Sequence, residues 1–257
     1  MADIRLDKFL ADAGAGTRST VKIIIKKGRV TVNDVIVKKS DIKVNPEKDK
    51  VCLDGKKLTF NEFEFFMLNK PQGVVSATTD ANDKTVIDLI TEEKRRDLFP
   101  VGRLDKDTEG LLIITNDGKL ANSLLAPGKH VNKKYFAKVE GLITDETVKL
   151  FAEGLDIGDE KLTAPAKLIV VKTYIEDSGD VNDNIISDMT KGDIKSDIEI
   201  TITEGRYHQI KRMFKAVGMK VLYLKRLSMG KLYLDESLKP GEYRRLTEEE
   251  VKLLSEK

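Results

Sequence analysis

Val101-Gly102-Arg103-Leu104-Asp105-Lys106-Asp107-Thr108-Glu109-Gly110 is a charged loop that runs directly into the apolar segment Leu111-Leu112-Ile113-Ile114-Thr115, which Asn116-Asp117-Gly118 ends. The apolar run is short and branched, so it reads as a buried strand closed by a tight turn. The ten residues before it carry five charges and have apolar side chains only at Val101 and Leu104. A charged loop tied to a core strand lets a rigid scaffold present a reactive group. Asp105 lies at its centre. On pattern alone two readings stay open: Asp105 or Asp107 closes an Asx-type turn on nearby amides, or a carboxylate faces a site.

The rest of the composition narrows the class. The chain has 257 residues, 40% apolar and 34% charged, which suits a water-soluble globular protein of one large or two smaller domains. A net charge of +2 is nearly balanced, so affinity for nucleic acid must come from local patches. The single Cys52 has no disulfide partner, and no Cys/His spacing suits zinc. No run approaches a membrane span and the N-terminus lacks the apolar core of a signal peptide, so the expectation is a cytoplasmic monomer with no metal and no cofactor.

Leu6, Phe9, Leu10 and Ala13 recur at helical spacing up to Gly14 and Gly16. Thr17 or Ser19 can cap a second helix carrying Val21, Ile24 and Ile25, which Gly28 stops. Short strands follow at Val30–Val32, Val35–Val37 and Val51–Leu53. Residues 1–60 hold 14 Lys/Arg against 8 Asp/Glu, a net of +6. Arg18, Lys22 and Lys26 recur one turn apart on the second helix, with Lys27 and Arg29 just beyond. A row of cations at that spacing can meet successive RNA phosphates, or it can be an ordinary solvated face.

From Phe63 to Asn69 a second apolar pattern begins, ended by Lys70-Pro71-Gln72-Gly73. Thr85 can cap a helix bearing Val86, Leu89 and Ile90, and Leu120, Leu124 and Leu125 make another that stops at Pro127-Gly128. Lys133 to Val139 alternates polar and apolar residues as a half-buried strand does. Residues 174–197 contain seven acids and two bases, a net of −5, and read as a flexible excursion between strands Lys167–Thr173 and Ile198–Thr203. The charge then reverses: residues 205–231 hold eight Lys/Arg and no acid. Gly205-Arg206-Tyr207-His208-Gln209-Ile210-Lys211-Arg212-Met213-Phe214 opens a helix with Ile210, Phe214 and Val217 on one face. Its cations, with Tyr207 and His208 between them, suit unstacked RNA.

Gly102-Arg103-Leu104-Asp105, with Thr108, Gly110, Leu111 and the Thr115-Asn116-Asp117-Gly118 turn, resembles the signature of the pseudouridine synthases, and within them the branch acting on small-subunit ribosomal RNA. Arg5-Leu6-Asp7-Lys8-Phe9-Leu10, the basic helix and Gly28-Arg29-Val30-Thr31-Val32-Asn33 are similar to the S4 RNA-binding module. These resemblances imply an α+β chain: an S4-like domain over 1–60, and a catalytic domain over 61–257 with a central, mostly antiparallel sheet. They imply isomerisation of a uridine to pseudouridine in small-subunit ribosomal RNA or a pre-ribosomal particle. Large-subunit relatives tend to carry Asn-Arg-Gln and an Arg in place of Lys211.

The same resemblance assigns roles. Asp105 is the catalytic carboxylate, Tyr135 stacks on the target base, Leu224 packs beneath it, and Lys211 pairs with the carboxylate and keeps it ionised. Arg18, Lys22, Lys26, Lys27, Arg29, Arg103, Arg206, Tyr207, His208 and Arg212 are the expected RNA contacts. The rival readings are a large-subunit ribosomal RNA pseudouridine synthase of the same branch, and a non-catalytic RNA-binding or ribosome-assembly protein on the same scaffold.

Overall fold

The computed structural model describes residues 3–58, 60, 63–91, 97–175, 179–180 and 194–255. The chain divides into two compact units, residues 1–64 with 90–98, and residues 65–89 with 99–257.

In the first unit, helices Leu6–Asp12 and Arg18–Lys26 pack Leu6, Phe9, Leu10, Val21 and Ile25 against Val30, Val44 and Val51. Thr17 caps the second helix, its Oγ1 accepting the Thr20 amide. Gly28, at φ +72°, ends it in a conformation that costs a glycine little. A four-stranded sheet runs in the order Val35–Val37, Val30–Val32, Val51–Leu53, Lys56–Lys57. Asn33 and Asp34 join its first hairpin with both φ positive, the geometry that matches strand twist.

The second unit is built on a long sheet. Its strands follow the order Gly179–Asp180, Lys167–Ile175, Ile194–Ile202, Lys133–Glu140, Lys220–Met229, Glu109–Thr115, Phe65–Lys70 and Tyr243–Arg245. Neighbours are antiparallel except at one seam, where Lys225 and Arg226 run parallel to Glu109 and Gly110. At that seam the backbones nearly touch: a Cβ on Gly110 would lie 2.2 Å from the Arg226 carbonyl oxygen, and Gly110 has φ +102°. Only glycine fits there. Met67, Leu111, Ile113, Leu120, Leu124 and Met229 form a core cluster drawn from both strands of this seam and the elements packed on them.

Several expectations shift in detail. Asn116-Asp117-Gly118 is not a hairpin turn but a helix start: the Asp117 carboxylate accepts the amides of Lys119 and Leu120 and caps Gly118–Leu125. Thr85 and Asp88 cap one another, yet Ile87–Leu89 makes a single 3-10 turn, with no α-helix on Val86, Leu89 and Ile90. A nucleated turn with no next turn to extend it gains no cooperativity. The C-terminal basic helix spans Gln209–Ala216, because His208 has φ +47° and the chain before it cannot be helical. The pair of strands expected around the acidic segment is longer than its hydrophobic pattern indicated, reaching Ile175 and starting again at Ile194. Ladder bonds with a neighbouring strand hold polar residues there as well as apolar ones. Gly179–Asp180 also pairs back onto Tyr174 and Ile175. The remainder of the expected excursion lies outside the described residues. No described helix is long and apolar enough to cross a membrane.

Candidate active site

The loop before Glu109 is shaped by its own backbone. The Val101 amide bonds the Ile113 carbonyl, and the Gly73 amide bonds the Lys106 carbonyl. Ser76 Oγ accepts the Leu104 amide at 3.0 Å and donates to the Leu104 carbonyl at 2.8 Å. Beneath the loop lies Lys70, fully buried at the end of strand Phe65–Lys70. Its ammonium donates to the carbonyls of Thr108 at 2.9 Å, Asp105 at 3.0 Å and Pro71 at 3.0 Å. Burial pushes the Lys70 ammonium down to about 8, against the pull of the Asp105, Asp107 and Glu109 carboxylates.

With its backbone so held, Asp105 does not need its side chain to make the turn. The carboxylate faces helix Gln209–Ala216, where Lys211 Nζ lies 3.0 Å from Oδ2. His208 Nε2 is 3.5 Å from Oδ1. Lys211 also donates to Asp107 Oδ1 at 2.6 Å. Burial alone would lower the Lys211 pKa, but the Asp107 and Asp105 carboxylates outweigh it and the ammonium is held above its ordinary range. The same ammonium, working against burial, keeps the Asp107 carboxyl low. Of the two acids, Asp107 is the exposed one, with 69% of its side chain accessible against 26% for Asp105.

Tyr135 and Leu224 line the same cavity as Asp105 and Lys211. Both are nearly buried, and they reach it from adjacent strands, Tyr135 pairing across to Arg226 and Leu224 to Ala137. Four residues far apart in sequence thus converge: a carboxylate, a cation that neutralises it, and an aromatic and an aliphatic side chain flanking the space between. That arrangement can hold a flat ring beside an ionised acid. Among the described residues, no three His, Cys, Asp or Glu side chains gather as metal ligands would.

The other expected residues divide into two groups. Arg18, Lys22, Lys26, Lys27 and Arg29 are all exposed on the first unit, though Arg29 is paired with Asp54. Arg103 is exposed at the rim of the cavity, and Tyr207, 77% exposed, stacks on His208 at 3.9 Å. Arg206 and Arg212 are engaged inside the protein. Arg206 donates to the Lys161 and Leu162 carbonyls, each at 2.7 Å, and Arg212 to Ile157 at 2.6 Å, while both pair with Asp159. Their guanidiniums brace the 157–162 segment against the helix. Lys70 was not singled out from the sequence, although an ammonium directly after an apolar strand run is the signal it offered.

Residues 64–216 match the family model of RNA pseudouridylate synthases. The chain belongs to that family. It is therefore an isomerase that converts uridine to pseudouridine in RNA. Residues 4–51 match the S4 domain. An RNA pseudouridine synthase of Bacillus subtilis (strain 168), YtzG, itself described as uncharacterized, is 47% identical over 254 residues, 98% of this chain and 99% of the relative. Ribosomal small subunit pseudouridine synthase A of Escherichia coli (strain K12) is 39% identical over 250 residues, 96% of this synthase and 98% of the relative. A crystal structure of a pseudouridylate synthase superposes with a TM-score of 0.64 at 35% identity, covering 98% and 99% of the two chains.

Proposed function

We propose that this synthase isomerises a uridine of small-subunit ribosomal RNA and that Asp105 is its reacting carboxylate. The observation that carries the second half is the Asp105–Lys211 pair, 3.0 Å apart in a cavity shared with Tyr135 and Leu224. The small-subunit half is supported by near-full-length identity of 39–40% to relatives named for that RNA.

Pseudouridine formation breaks the bond between C1′ and N1, turns the uracil and joins C1′ to C5. The hydrogen lost from C5 is balanced by the one gained at N1, so nothing is oxidised or reduced. An ionised carboxylate beside the ribose can attack C1′ or remove the 2′ proton. Asp105 serves either step, its carboxylate held toward the cavity by the Lys211 ammonium 3.0 Å away. Tyr135 and Leu224 hold the detached ring while it turns. The target base must leave its stack to enter, at a cost of a few kcal/mol that phosphate contacts offset. On this reading residues 1–60 are the RNA-binding domain, with Arg18, Lys22 and Lys26 along the backbone, and residues 61–257 carry the chemistry. Arg103, Tyr207 and His208 contact the strand at the cavity mouth.

The test is a map of pseudouridines in ribosomal RNA from cells with and without the gene. One small-subunit pseudouridine should disappear, and the purified protein should restore it. Loss of a large-subunit site instead would reassign the substrate, and no change in either RNA would place the substrate outside ribosomal RNA.

A further inference from the structure

Beyond Asp105 and Tyr135 the cavity opens into a cleft of about 910 Å³. Two cations on its lining are buried, Lys133 at 8% exposure and Arg226 at 2%. Arg226 donates through Nε to the Leu111 carbonyl at 2.7 Å, while its Nη2 is buried without an acceptor. Lys133 uses one of its three donors on the Val131 carbonyl at 2.9 Å. Among the described residues neither has an ion-pair partner. Burial and the Arg226 charge together lower the Lys133 pKa, so the two repel with no carboxylate between them.

A buried cation without a counter-charge costs several kcal/mol, and proteins ordinarily place an acid beside it. The acids that line this cleft are committed elsewhere: Asp105 to Lys211, and Glu204 to Arg206 and Gln209. We propose that Lys133 and Arg226 form a subsite for one phosphodiester group of the RNA strand, on the cleft wall beside Tyr135. This rests on the reading that the target uridine enters at Tyr135. The register places the subsite correctly. Lys133 is two residues from Tyr135 on one face of its strand, about 7 Å away, and Arg226 pairs directly across from Tyr135. That is the reach of a nucleotide's own backbone. Arg226 is also pre-ordered, since its Nε bond to Leu111 fixes the guanidinium before RNA arrives, and a guanidinium fork matches phosphate oxygens.

The experiment measures the affinity of the full-length protein for a small-subunit ribosomal RNA transcript against salt concentration. Each phosphate contact to a single strand contributes about 0.7 to the slope of log K on log salt. Lys133→Met and Arg226→Gln should each flatten the slope by about that amount and weaken low-salt binding about tenfold. The double variant should lose no more slope than either single one, because both cations serve one anion. Arg226 is buried in the sheet, so Lys133→Met carries the test if Arg226→Gln does not fold. An unchanged slope in Lys133→Met, or slope losses that add in the double variant, would overturn the shared subsite. If the wild-type protein forms no pseudouridine in this RNA but the slopes fall as described, the substrate reading fails and the anion subsite stands.

Discussion

Lys211 Nζ sits 3.0 Å from Asp105 Oδ2, although the two residues are more than one hundred positions apart and belong to elements with no sequence connection. The helix Gln209–Ala216 and the loop before Glu109 are both fixed on the central sheet, and the pair closes the space between them. Lys211 divides its hydrogen bonds between Asp105 and the more exposed Asp107, so a single ammonium orders both carboxylates of the loop.

Removing that ammonium should slow the chemical step and leave binding nearly alone. Both side chains are about a quarter accessible, and losing one electrostatic partner aimed at a reacting group in such a site costs about two powers of ten in rate. Single-turnover kinetics of Lys211→Met should show that loss in the rate constant, with Lys211→Arg much milder. Lys215→Met, on the exposed turn that follows, should alter only RNA affinity. If Lys211→Met and Lys215→Met both raise KM alike and spare kcat, Lys211 is a phosphate contact and not part of the site.

Lys70 predicts a pH effect in which activity and stability move in opposite directions. Its ammonium titrates at about 8 in the fold, against 10.5 for a free side chain. Between those values the unfolded chain still holds the proton that the folded chain has lost, so stability rises with pH across that window. The loop responds the other way. A neutral amine has two N–H donors to share among the carbonyls of Thr108, Asp105, Pro71 and, more distantly, Lys106. The wild-type rate should therefore fall as pH passes upward through about 8 while the denaturation midpoint climbs. In Lys70→Met this limb of the pH–rate profile should vanish, with activity low throughout. A limb that survives the substitution belongs to another group.

Gly110 carries the parallel seam, and its replacement should be among the costliest in the protein. Gly110→Ala would drive a methyl group against the Arg226 backbone at a positive φ. Neither backbone can retreat without breaking strand pairing, so a loss of about 3 kcal/mol or more is expected in urea denaturation. Gly118→Ala is the control, since a Cβ there meets nothing within 4 Å. It should change stability by about 0.5 kcal/mol at most.

The sequence made some of this plain and concealed the rest for physical reasons. The Asp105 loop and its strand were readable because an apolar run bounded by charges has few other homes. The alternation in Lys133–Glu140 was readable because a half-buried strand imposes a period of two. Lys70 and Arg226 were hidden, since a cation in a sequence gives no sign that it ends a strand buried on both faces, as Lys70 does, or sits on the buried face of an alternating one, as Arg226 does. Arg206 and Arg212 looked like free cations in a basic run, but their carbonyl partners lie 44 to 55 residues earlier. Only the folded chain brings those groups together. The start of the helix at Gln209 likewise depends on the left-handed backbone at His208, which no hydrophobic pattern encodes.

The central claim is that Asp105, and not its neighbour in the loop, reacts with the ribose. Asp105→Asn removes a charge and almost no volume, and the loop is held by backbone bonds that the substitution leaves intact. The deciding measurement is pseudouridine formed in small-subunit ribosomal RNA by Asp105→Asn and Asp107→Asn under single-turnover conditions, with RNA affinity and melting temperature measured in parallel. Asp105→Asn should form no pseudouridine while binding RNA and melting as the wild type does, and Asp107→Asn should keep most of its activity. Measurable turnover by Asp105→Asn, or an equal loss from both substitutions, would contradict the account.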